Sequence, residues 1–301
     1  MTLKVSKTSD LKNNLIVKTL ISGRAKVGKT TLATTVPLTT DAHLYYISVD
    51  PGAIRLRDRS FTQLSAEHGR WNRKVLDDIY EHVFKSADAG NVEHVFVDGV
   101  DELAEAVLKE TKSENKNGMK AYGEMNDYVG DWLKSVRDIG SISSTFVTHQ
   151  ETIKDQETGA ITSIIPAIPG QKLKNKLNEL FDIIASMQFI NFGDGVTKRM
   201  LICRPDYDPR YEVGDRTGAL NDLEEPDLGK IYEKIKGSGF KVSDDTPRQV
   251  TEQELNALPA FFKEHGVTKE KLASALNGRS IRDFNINELN QLKDLLKEKK
   301  G

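Results

Sequence analysis

Eight consecutive residues, Gly23-Arg24-Ala25-Lys26-Val27-Gly28-Lys29-Thr30, carry the most specific chemistry in the chain. They fit G-x-x-x-x-G-K-[ST], the Walker A pattern, whose spacing suits a chain of phosphates. Its two glycines permit backbone angles that turn successive N–H groups toward phosphate oxygens. Lys29 then sets a positive charge beside the β and γ phosphates, and Thr30, followed by Thr31 at the start of an expected helix, offers a hydroxyl to Mg²⁺. The N-terminus of that helix is expected to add partial positive charge. Downstream, Asp98 closes the apolar run Val95-Phe96-Val97. A carboxylate there matches the Walker B pattern, which holds Mg²⁺ through water, and its strand is expected beside the one that feeds Gly23.

Cleaving a phosphoanhydride also requires a group that orients or deprotonates water. Asp50, Asp101 and Glu102 compete for this role: Asp50 ends a strand expected to face the nucleotide, Asp101 and Glu102 are also explained as acids that begin a helix, and Glu102 and Asp50 are favoured about equally. Thr148, His149 and Gln150 end another apolar run, where a polar group can sense a γ-phosphate. Lys172, Lys174 and Lys176 form a short basic run, and Lys109, Lys112, Lys116 and Lys120 punctuate a polar stretch. Both are candidate contacts to a nucleic-acid backbone, and both are equally explained as solvated helix faces. Tyr122 and Tyr128 could stack bases, and they could equally be packed.

These groups must be held by a scaffold, and the hydropathy pattern describes one. Short apolar runs at Leu15–Ser22, His43–Val49, His94–Asp98 and Ser144–Gln150 read as buried strands. Helical patterns lie between them, including one over residues 71–86 with Val75, Ile79, Val83 and Phe84 on its inner face. A further helix starts at Glu102, and residues 111–123 read as a polar loop. Such alternation predicts an α/β fold, a mainly parallel sheet covered by helices. Residues 151–170 contain a turn at Asp155–Gly159 and read as a hairpin or mobile loop. Two β-compatible runs flanking Gly193-Asp194-Gly195 predict a second hairpin that extends the sheet antiparallel. A Gly-, Ser- and Asp-rich linker at 237–250 separates this 1–236 domain from a small α-helical module at 251–301. In that module Leu255, Leu258, Phe262, Leu272, Leu276, Leu289, Leu292 and Leu296 have helical spacing.

Composition narrows the class further. The 301 residues are 38% hydrophobic and 29% charged, which suits a globular protein and excludes disordered or fibrous chains. The single cysteine, Cys203, cannot form an internal disulfide. No apolar run approaches the roughly 18 to 20 residues that span a bilayer. With a polar start that lacks a secretory h-region, a cytoplasmic setting with no membrane partner is expected. The net charge of −2 gives no global attraction to nucleic acid, so any such contact must be local.

Taken together, the Walker A loop, Val95–Gly99, Thr145–Gln150, Tyr122-Gly123, Pro169-Gly170-Gln171-Lys172 and the Cys203–Gly218 segment resemble the phage RecA-like core P-loop ATPases. These AAA-type ATP-binding proteins are associated with single-strand annealing and recombination, and the similarity spans about residues 12–236. It implies a RecA-type fold, ATP and Mg²⁺ as cofactors, single-stranded DNA as partner, and a homo-oligomeric ring or filament. It also implies that Gln150 is the γ-phosphate sensor, that the loop after it touches DNA, and that Arg216 reaches a neighbour's ATP, with Lys198 or Arg199 as alternatives. The family's glutamate after the second strand is replaced here by Asp50-Pro51-Gly52. The helical module could then grip a single-strand-binding or other recombination protein. A partition-type ATPase is disfavoured because Arg24-Ala25-Lys26 lacks the expected lysine and paired glycines, and a small-molecule kinase because residues 151–170 contain no arginine.

Overall fold

The computed structural model describes residues 16–238 except Asp194, residues 252–268, and scattered positions from 271 to 296. By its contacts the chain divides into two compact units, Met1–Lys241 and Val242–Gly301. In the first, the elements follow as β1 (Lys18–Gly23), β2 (Leu44–Ser48), β3 (Thr62–Leu64), α1 (Arg73–Asp88), β4 (His94–Asp98), α2 (Val100–Glu114) and α3 (Gly118–Arg137). Then come β5 (Ser143–Thr148), β6 (Gln150–Lys154), β7 (Ile161–Pro166), α4 (Gln171–Leu180), β8 (Ile183–Asn191), β9 (Thr197–Ile202), β10 (Gly214–Asp215), β11 (Leu223–Glu224) and α5 (Leu228–Gly237).

The main sheet runs in the order β11-β9-β8-β1-β5-β4-β2-β3, with β10 pairing β8 beside this path. Strands β1, β2, β4 and β5 are buried at every position, as expected of parallel strands covered on both faces. Because side chains alternate along a strand, Val95 and Val97 of β4 join a core shared with α1 to α4, whereas Phe96 joins a core shared with α5 and residues 30–35. The α/β fold expected of a P-loop ATPase domain is therefore present, a mainly parallel sheet with antiparallel strands at one side.

Several expectations change. The strand carrying Asp98 does not lie beside β1, because β5 is inserted between them and pairs parallel with both. Parallel neighbours are joined by crossovers, so local sequence does not encode their order. β8 is parallel to β1, and the antiparallel extension begins only at β9. The expected polar loop at 111–123 is mostly helix. Only residues 115–117 separate α2 from α3, whose first N–H groups are capped by Asn117. The corner is tied by the Thr111 hydroxyl, which donates to Leu108 O and Ala121 O. On α1 the buried stripe is Leu76, Ile79, Val83 and Ala87, while Phe84 is exposed and packs its ring beside Tyr80. The short helix expected after the phosphate loop is present as a 3-10 helix, Thr30–Thr35, whose two tight turns offer a smaller dipole than an α-helix of several turns.

Residues 150–166 are a hairpin, β6 paired with β7 apart from the main sheet. Its turn is set by Asp155, whose carboxylate accepts from the N–H groups of Glu157 and Thr158. In the second unit, α6 (Glu252–Glu264) is described, and Leu258, Leu289, Leu292 and Leu296 are buried together against a rim that includes Leu255, Phe262, Leu272 and Leu276. The expected linker at 237–250 lies almost wholly outside the described residues.

Candidate functional site

The end of β1 opens directly into the Walker A loop, which lines a cleft of about 830 Å³ together with Asp50, Arg55, Asp98, Asp101, Thr148, His149 and Arg199. Left-handed backbone at Lys26 (φ 64°) and Gly28 (φ 105°) folds the loop back on itself. Such alternation of handedness points neighbouring N–H groups into one concavity, which is what a phosphate requires. Gly28 is needed for its positive φ, and the mobile tip of the Arg199 side chain lies over it, 2.3 Å from where a Cβ would stand.

Lys29 is buried, and its ammonium donates to Gly23 O at 2.9 Å and Arg24 O at 3.1 Å. Engaging a phosphate means exchanging these neutral carbonyls for anionic oxygens. Burial lowers its pKa, and the nearby Asp98, Asp101, Asp50 and Glu102 oppose that shift. Thr30 donates its hydroxyl to Asp98 Oδ2 at 2.6 Å, and the Tyr46 phenol donates to the same oxygen. Asp98 is 3% exposed, so desolvation raises its pKa, while the bonds from Thr30 and Tyr46 hold it down. Tyr46, raised well above the usual phenol range by burial and then by Asp98, remains a donor at any working pH.

This donor set fits a magnesium nucleotide. Mg²⁺ keeps several waters and takes phosphate oxygens, so one hydroxyl and one carboxylate are enough protein. Among the described residues no group of three or more His, Cys, Asp or Glu side chains could hold an ion without such a ligand. Thr30 and Asp98 would hold the metal, which would neutralise charge on the phosphates.

Of the competing carboxylates, Asp50 lines the cleft just past β2, and Asp101 accepts from His149 Nδ1 at 2.7 Å. Glu102, one residue further along α2, has its pKa raised by burial and then by the charges of Asp50 and Asp101. Gln150 follows His149 at the cleft edge, but its amide oxygen is engaged by the Gln188 and Ser186 side chains of β8. It therefore couples the start of the β6–β7 hairpin to the main sheet.

Arg216 lies elsewhere. Its neighbour Asp215 pairs with Ile183 on β8, whereas Gly23 pairs with Met187 four residues along the same strand. That separation is roughly 13 Å along the sheet. The Arg216 guanidinium donates to Glu179 O at 3.3 Å, and Arg216 is not among the residues that line the phosphate cleft. Arg199, considered from sequence only as a cation for a neighbour, instead sits over this chain's own Gly28, with its guanidinium 5.9 Å from the Phe189 ring.

The basic run is less open than the sequence suggests. Lys172 pairs with Asp127 at 2.6 Å and Lys174 pairs with Glu151, so two of its three charges are already met by carboxylates. Lys120 lies beside Glu124, and Lys112 sits over the Tyr122 ring. Tyr128 is a packing residue, its hydroxyl donating to Arg73 O and Asp77. Sequence reasoning missed Tyr46 and Arg55 in the site, and missed the exposed Phe189 and Phe192 on the β8–β9 hairpin. Alternation along β9 could have placed Arg199 on one face with Leu201, but not which face meets the loop.

A strand, a Walker A loop and a carboxylate that bonds the loop's own threonine define a P-loop nucleotide-binding domain. The family model for the AAA domain matches residues 16–217, and the chain belongs to that family of P-loop ATPase domains. No curated protein sequence matches it.

Proposed function

We propose that this chain is a RecA-like ATPase that hydrolyses ATP with Mg²⁺ and binds single-stranded DNA during phage recombination or replication, annealing or pairing strands. The observation that carries the hydrolytic part is the Thr30 to Asp98 hydrogen bond of 2.6 Å within a cleft that also holds Lys29. It links the loop that cradles phosphate to the carboxylate that positions the metal, and both are needed for turnover.

The DNA part is supported by surface chemistry near that cleft. Hairpin β8–β9 exposes Phe189 and Phe192, with Arg199 and Lys198 beside their rings. Exposed aromatics interleaved with cations suit stacked bases and a phosphate backbone. Hairpin β6–β7 starts at Gln150 and exposes Ile153 and Ile161, so changes at the nucleotide have a short path to it. Lys172, Lys174 and Lys176 join this surface by exchanging Asp127 and Glu151 for phosphates. Subunits assemble so that Arg216 meets a neighbour's nucleotide, the helical 251–301 module recruits a recombination partner, and the setting is the host cytoplasm. Among the described residues no helix is long and apolar enough to cross a membrane.

Hydrolysis measured with and without single-stranded DNA tests this reading. Expected are Mg²⁺-dependent turnover and its increase by DNA, with affinity that falls as salt rises by about 0.7 in log–log slope per phosphate contact. Turnover that ignores DNA, together with no binding at low salt, leaves an ATPase of another kind.

A further inference from the structure

We infer that His149, oriented by Asp101, is the group that takes the proton from the attacking water during ATP hydrolysis. The inference rests on the ATPase reading and names the step that the Walker residues leave unassigned. It is carried by the pairing of His149 Nδ1 with Asp101 Oδ2 at 2.7 Å on the wall of the phosphate cleft.

Each part of the pair is placed by a different element. His149 stands between the end of β5 and the start of β6, and Asp101 lies in the first turn of α2. The N-terminal end of a 15-residue helix favours a carboxylate there. Asp101 is 8% exposed, and its second oxygen is buried with no hydrogen-bond partner among the described residues. With Nδ1–H donated to Asp101, the ring is fixed in the tautomer that leaves a lone pair on Nε2. Among the described residues Asp101 is the hydrogen-bond partner of the ring, through Nδ1, and the side chain is 34% exposed. The donor and acceptor roles match those of other carboxylate-oriented imidazoles that act as bases.

In the step, the water oxygen forms a bond to the γ-phosphorus and its proton passes to Nε2. The bond from that phosphorus to the β–γ bridging oxygen breaks, and ADP leaves with the electron pair. The imidazolium is held by Asp101 until it returns the proton to solvent. Of the charged groups, Asp101 bonds the ring and Glu102 interacts with it, and Asp98 from β4, Asp50 after β2, Lys29 and Arg199 line the same cleft. Glu102 is the rival base, because it stands next to Asp101 in the chain and interacts with His149. Asp101 itself is a positioning residue.

The test compares the full-length wild type with His149→Gln, Asp101→Asn and Glu102→Gln, measuring steady-state hydrolysis and fluorescent-ADP binding. His149→Gln is expected to lower kcat by at least about a hundredfold with KM and ADP affinity unchanged. Asp101→Asn should lower kcat less, with Asp101→Glu recovering part of the loss. A His149→Gly variant should regain turnover when imidazole is added, which a purely structural histidine would not do. Near-wild-type kcat in His149→Gln overturns the inference, as does the whole loss falling on Glu102→Gln with no rescue by imidazole. A wild-type chain that binds ADP but hydrolyses nothing overturns the ATPase reading itself.

Discussion

Both ends of the parallel sheet bury ionisable groups, and they do so in opposite ways. At the end where the strands begin, the Lys18 ammonium donates to the Ile139 and Ile142 carbonyls. Burial brings its pKa down to about 8. His94 is fully enclosed there, bonded to the Thr145 hydroxyl at 3.0 Å, with its pKa lowered to about 3 by burial and then by Lys18. These groups are committed to backbone or to one hydroxyl, and neither lines the phosphate cleft. At the end where the strands finish, Asp98 gathers Thr30 and Tyr46, and Asp101 gathers His149, beside an open volume. Burial and a shifted pKa occur at both ends, so neither identifies a site. The distinguishing feature is polar groups bonded to one another, with unused valences at a cleft.

That contrast makes breakable statements. The largest effect belongs to Lys29→Ala, which should lower hydrolysis by about a thousandfold or more, since a fixed charge beside the transferring phosphate is lost. Its thermal midpoint should stay within a few degrees of wild type, as measured by calorimetry. A collapse of the fold would make this end as structural as the other.

Next in size is the acid response of His94. Its folded pKa lies below the unfolded value, so between about pH 6.5 and 3 the unfolded chain binds more protons and stability falls with falling pH. The contribution is intact above pH 6.5, and about 2 kcal/mol is lost by pH 5. Urea melts at pH 7 and pH 5 should show this loss in the wild type and a markedly smaller one in His94→Gln. Equal losses in both would assign acid sensitivity to the other end of the sheet.

Arg199→Ala should weaken ATP binding about tenfold, the cost of about 1.4 kcal/mol expected for one partly exposed charge-assisted contact. Because Arg199 lies over its own chain's Gly28, mixing Arg199→Ala with Lys29→Ala subunits should restore nothing. The same mixture made with Arg216→Ala should regain activity, if Arg216 completes a neighbour's site as proposed. Tyr46→Phe is the mildest change. It removes one of two donors to Asp98 Oδ2 and should shift the Mg²⁺ requirement several-fold, about 1 kcal/mol, while leaving ADP binding without metal unaltered. A Mg²⁺ titration of turnover reads the difference.

The sequence by itself determined the phosphate loop, because loop geometry there depends on glycines and a lysine within eight contiguous residues. It determined the apolar strand His94–Asp98, copied residue for residue in β4, and the Asp155 turn between β6 and β7, both products of local pattern. Only the tertiary structure decided that β5 intervenes between β1 and β4, that Arg199 falls on its own loop while Arg216 falls at the far end of the sheet, and that Lys172 and Lys174 meet Asp127 and Glu151. It also decided that Tyr46 is a partner of Asp98 and His149 a partner of Asp101, across separations of 52 and 48 residues. The physical reason is range. Backbone angles and alternation are set by near neighbours, whereas strand order and the pairing of distant charges follow from which crossovers bury the most apolar surface, a property of the whole chain.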